Sequence, residues 1–112
     1  WAGLKTRYED LLVKTFDSEL KSFIPGCASY TVFQTEGITE REGIGEKFRS
    51  AEAKGGLKVR FIDGGGNSLG YMWMRPSGTE PVLRVLVDLK GDNQELHDRI
   101  LSYQRSLIER AN

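Results

Sequence analysis

Residues 69–89 read Leu-Gly-Tyr-Met-Trp-Met-Arg-Pro-Ser-Gly-Thr-Glu-Pro-Val-Leu-Arg-Val-Leu-Val-Asp-Leu. Two apolar segments, Leu69–Met74 and Val82–Leu89, flank a run of turn-forming residues bounded by Pro76 and Pro81. Leu83, Val85, Val87 and Leu89 fall on one face of an extended chain, so the two segments read as antiparallel strands joined by a loop. Arg75 ends the first strand and Arg84 lies near the start of the second, so both side chains can reach the mouth of the loop. The loop has the chemistry of an anion cradle. Each arginine offers a planar fork of donors that matches two phosphate oxygens, and Ser77 and Thr79 add hydroxyl donors. Gly78 lets successive backbone N–H groups turn toward one point, and the prolines limit the loop entropy lost on binding.

Taken together, Arg75, Ser77, Gly78, Thr79, Glu80, Pro81 and Arg84 resemble, residue for residue, the phosphate-binding loop in the last domain of the α-D-phosphohexomutases (phosphoglucomutases, phosphomannomutases and phosphoglucosamine mutases). A looser likeness runs from about Gly55 to the C-terminus. The resemblance implies an α+β fold, a two-layer antiparallel sheet with helices on one face, similar to the repeat unit of the TATA-binding protein. It implies that Arg75, Ser77, Gly78, Thr79 and Arg84 bind the substrate phosphate, and that no catalytic residue lies in this chain. Such enzymes use a phosphorylated serine in their first domain, a Mg²⁺ site of aspartates in the second and a sugar-reading loop in the third. None of those motifs occurs here. Mg²⁺ is thus expected in the full-length enzyme, bound by another domain, with none bound by this chain. The expected partners are a phosphosugar and upstream domains of the same polypeptide, in a cytoplasmic intramolecular phosphotransferase. Glu80 is expected to pair with Arg75 or Arg84 and hold the loop in shape.

Working outward from the loop, Leu57–Asp63 alternates as a strand and returns through Gly64-Gly65-Gly66-Asn67-Ser68, a hairpin connection. The triple glycine is not a P-loop, since no Lys-Ser/Thr pair follows it and no helix opens after it. Asp92 with Glu95 three residues on predicts the start of a last helix, striped by Leu96, Ile100, Tyr103 and Leu107. Glu95–Arg99 and Arg105–Glu109 have the spacing of helical ion pairs. Upstream, Ala28–Thr35 is rich in β-branched and aromatic residues and predicts a strand. Thr39-Glu40-Arg41-Glu42 has capping-box spacing, which predicts a helix with Ile44, Phe48 and Ala51 inward, ending at Gly55-Gly56. Residues 2–24 carry Leu4, Tyr8, Leu11, Leu12, Phe16, Leu20, Phe23 and Ile24 at helical spacing, with Asp17-Ser18 as a possible division and Pro25-Gly26 as the stop. This gives residues 1–25 as a helical tail linking from a preceding domain and 26–112 as a C-terminal phosphate-binding domain. Trp1 opens the chain inside a helical pattern, which suggests a longer parent protein.

At 112 residues the chain suits one domain with a modest core. Its 16 basic and 16 acidic residues cancel, so no general polyanion surface is indicated and nucleic acid is not an expected partner. Cys27, the single cysteine, excludes an internal disulfide and fits a reducing compartment. No run is apolar enough to span a membrane, and no signal pattern opens the chain. His97 falls beside the stripe of its helix and reads as solvated; one Cys, one His and scattered carboxylates make no metal-ligand spacing. Tyr71 and Trp73 alternate in a strand and read as core or interface. An autonomous phosphate- or phosphopeptide-binding module stays open as an alternative, as does, less favourably, a nucleic-acid binder.

Overall fold

Strands that alternate apolar and polar residues can cover only one face of a sheet with core, and here the apolar side is closed by helices. The computed structural model describes residues 3–45, 47–48, 55–76 and 83–111. Its elements are α1 (Leu4–Thr15), β1 (Cys27–Glu36), β2 (Thr39–Glu42), β3 (Gly56–Asp63), β4 (Ser68–Pro76), β5 (Leu83–Leu89) and α2 (Gln94–Ala111). The five strands form one antiparallel sheet in the order β2-β1-β3-β4-β5. Leu57, Val59 and Phe61 of β3 and Met72 and Met74 of β4 are fully buried. They share one cluster with Tyr8 and Leu12 of α1 and Ile100, Tyr103 and Leu107 of α2. Both helices therefore lie on the same face, the α+β two-layer arrangement anticipated above.

The N-terminal stripe runs deeper into the core than its neighbours. Leu4, Tyr8, Leu12, Phe16, Leu20 and Ile24 are all buried, and they recur every fourth residue. In an ideal α-helix each such step overshoots a full turn by about 40°, so five in succession would wander off the sheet. The chain widens instead to a π-helical turn over Phe16–Leu20, where each residue winds less. The expected division at Asp17-Ser18 is thus a widened turn followed by a short 3₁₀ segment, Lys21–Phe23. Polar clasps tie α1 and the widened turn to α2: the Arg7 side chain donates to the Ala111 carbonyl, the Thr15 and Tyr103 hydroxyls lie 2.8 Å apart, and Arg110 forks onto Glu19 at 3.0 and 3.2 Å. Burial pushes the Tyr103 phenol up to about 12, so it stays neutral and able to donate.

Two helix starts differ from expectation. Thr39–Glu42 is a strand, not a helical first turn. Glu36 and Thr39 pair directly, leaving Gly37 and Ile38 as a two-residue turn with Gly37 at φ 61°, the position where a II′ hairpin needs glycine. Pairing with β1 satisfies the backbone that a capping box would otherwise have served. Ile44 is half exposed rather than inward, and Ala51 lies outside the described residues. At α2 the cap is Asn93 rather than Asp92: its Oδ1 accepts from the Leu96 N–H at 3.0 Å. Arg99 does not pair with Glu95; its guanidinium lies 3.6 Å from the Phe23 ring centroid.

Candidate functional site

The face of the sheet away from the helices carries the polar half of each strand. Register places Arg75 of β4 directly opposite Arg84 of β5, Trp73 opposite Leu86, and Tyr71 opposite Asp88; on the other side of β4, Trp73 meets Lys58 and Tyr71 meets Arg60. Both arginines are exposed, and among the described residues neither makes an ion pair. A cavity of about 330 Å³ opens beside them, lined by Trp73, Arg75, Arg84, Val85 and Leu86. It offers two guanidinium forks, an aromatic ring and an aliphatic wall. A depression of about 370 Å³ on the outside of α2 is larger. Its Asp98, Arg105 and Glu109 mix signs along one wet helix face, however, and converge on nothing.

Aromatic rings and cations alternate on this open face. The Arg75 guanidinium carbon is 5.0 Å from the Trp73 ring centroid, Lys58 Nζ is 4.4 Å from that of Tyr71, and the Arg60 guanidinium is 4.9 Å from that of Phe33. Lys58 is also bound to Glu40 at 3.0 Å. Trp73 is fixed from below: its indole N–H donates to Thr35 Oγ1 at 3.0 Å, and the same oxygen accepts from the Gly56 N–H at 3.1 Å. From the helix side Gln104 Nε2 donates to the Trp73 carbonyl at 2.7 Å. Gly56 is needed here for space, because a Cβ would stand 2.0 Å from the Met74 carbonyl oxygen and 2.8 Å from Arg75 Cα. The end of β4 lies against bare backbone, and Arg75 is set by that contact.

Of the residues expected to hold phosphate, the structure brings Arg75 and Arg84 together; Ser77, Gly78 and Thr79, with Glu80, lie outside the described residues. The loop they belong to connects Pro76 to Leu83, which are themselves register partners. Sequence reasoning missed Thr35, whose role depends on a cross-sheet contact. It did place Trp73 and Arg75 two apart in one strand, and that spacing puts them on the same face. The glycine-rich hairpin is no rival cradle. Its Gly65 and Asn67 N–H groups donate to Asp63 Oδ1 at 2.9 and 2.8 Å, and the Gly66 N–H donates to the Asp63 carbonyl. The bonds from Asn67 and Gly65 hold the Asp63 carboxyl below its ordinary value, so that nest already holds an anion of its own. Among the described residues no three His, Cys, Asp or Glu side chains gather as a metal site, and no helix is long and apolar enough to cross a membrane.

A family model described as phosphoglucomutase/phosphomannomutase, C-terminal domain, matches residues 32–100, from within β1 into α2. The chain belongs to that family. No curated protein and no solved structure matches it. The match takes in the second half of β1, all of β2 to β5 and the Arg75–Arg84 pair, so the membership of this phosphoglucomutase/phosphomannomutase domain and the arginine site concern the same part of the chain.

Proposed function

We propose that this is the substrate-phosphate-binding domain of a phosphohexomutase that interconverts hexose 1-phosphate and hexose 6-phosphate through a bisphosphate intermediate. Arg75 and Arg84, with Ser77, the Gly78–Thr79 backbone and the Thr79 hydroxyl, grip the phosphate that is not being transferred. The grip aligns the other end of the sugar with a phosphoserine supplied by an upstream domain, and Mg²⁺ is assigned to another domain again. This is catalysis by positioning: a held reactant reacts as part of one molecule rather than by encounter. Residues 1–25, whose helix α1 packs into the domain's core, are read as the lead-in from the preceding domain, in a cytoplasmic enzyme. The observation that carries the reading is the Arg75–Arg84 pair, directly opposed on an exposed face beside a cavity that, among the described residues, has no carboxylate in its lining.

One experiment has two arms. Titrating the chain with inorganic phosphate or glucose 6-phosphate should move NMR resonances at residues 75–79 and Arg84. Affinity should be near the millimolar scale, about −4 kcal/mol, because one open domain leaves the anion largely solvated. Shifts centred on residues 64–67 would put the site in the wrong loop, and tight binding by the chain alone would favour an autonomous module. In the full-length parent, Arg75→Ala should lower kcat/KM by about 30- to 200-fold, the worth of about 2–3 kcal/mol in charge-assisted hydrogen bonds. Arg75→Lys should recover only part of that, since it keeps the charge but not the fork. Unchanged kcat/KM in a folded Arg75→Ala enzyme would reduce the site to a turn with flanking arginines.

A further inference from the structure

We propose, resting on the phosphate reading above, that Trp73 is a positioning residue for Arg75. In this view the Thr35–Trp73 pair is a fixed platform that orders the guanidinium through its flat face rather than through its N–H edge. A free arginine side chain loses rotamer freedom when it closes on a ligand, which weakens binding. Tying it down with a carboxylate would remove that loss but consume the in-plane N–H donors that the phosphate needs. Packing the flat face of the guanidinium on an aromatic ring orders the group and leaves its edge free. The distance is within reach of such packing: the Arg75 guanidinium carbon lies over the Trp73 ring, 5.0 Å from its centroid, and Arg75 has no ion pair among the described residues. The ring in turn is held by its N–H on Thr35 Oγ1 at 3.0 Å, and Thr35 is buried. Lys58 also approaches Trp73, at 5.8 Å, but it sits nearer Tyr71 and is held by Glu40. Of the two cations near Trp73, Arg75 is therefore the one left to face the site.

The test uses the 112-residue chain with inorganic phosphate as probe, with the backbone amide spectrum as the check that each variant is folded. Trp73→Leu should weaken phosphate binding by about 3- to 5-fold, and Trp73→Phe, which keeps a ring beneath the guanidinium, should stay within about twofold of the parent. Combined with Arg75→Ala, Trp73→Leu should add no further loss, because its effect passes through Arg75. A purely structural role would give the same loss in both backgrounds and overturn the proposal. A folded Trp73→Leu chain with unchanged affinity would also overturn it. One readout needs no variant: the Arg75 Nε–H proton should be shifted upfield of that of Arg84 by the indole ring current, and equal positions refute the packing. Phosphate that moves neither arginine in the parent chain overturns the functional reading and this inference with it. Binding that is indifferent to Trp73 overturns this inference alone.

Discussion

Asp63 holds the β3–β4 hairpin with one carboxylate oxygen, accepting from Gly65 and Asn67, and those bonds draw its pKa below the ordinary 3.8. A carboxyl depressed on folding contributes stability that is present above its unfolded value. That contribution is lost as pH falls through the lower folded value. The amide resonances of Gly65 and Asn67 should accordingly titrate together with a midpoint below 3.8, and Asp63→Ala should abolish the transition. A midpoint at or above the ordinary value would mean that the bonds do not persist in solution. The glycine run was legible as a hairpin tip, but the role of Asp63 in it was not. Gly64-Gly65-Gly66 has the flexibility of a phosphate loop, and only the structure reveals that Asp63 has already taken its donors. Thr35 was illegible for a related reason: nothing in Gln34-Thr35-Glu36 announces a partner 38 residues away.

At the scale of elements, α1 is the part with most to lose. Leu12 is fully buried between the sheet and α2, and removing its side chain leaves a hole that packed neighbours fill only in part. Leu12→Ala should cost about 2–5 kcal/mol of unfolding free energy, read as a lower denaturation midpoint in urea. A loss under about 1 kcal/mol would show that α1 docks loosely rather than as core. β3 and β5 were legible from their alternation, β4 from its dense run of aromatic and apolar residues, and α2 from its 3.6-residue stripe. β2 was not, because Thr39-Glu40-Arg41-Glu42 satisfies the local rule for a helix start while β1 offers it a ladder. Tertiary pairing won over a four-residue signal. Its charged residues suit a sheet edge, where they discourage pairing with a further chain.

For the molecule as a whole, positioning a phosphate differs from transferring one. The isolated chain should turn over no hexose phosphate, with or without Mg²⁺, because the phosphoserine and metal motifs of the phosphohexomutases are not in it. Mutase activity in a contaminant-free sample would refute that assignment of labour among domains. The Arg75–Arg84 register carries a different kind of consequence. Two like charges facing each other across an antiparallel ladder weaken the sheet that bears them, so the unliganded domain is electrostatically frustrated at the proposed binding site. An anion that sits between them acts as a missing piece of the fold, adding about 1.4 kcal/mol at ten times its Kd. Phosphate should raise the Tm more than chloride at matched ionic strength. An Arg84→Ser variant should start from a higher Tm and gain little from phosphate, so that relief of repulsion and loss of the ligand appear in one melting experiment.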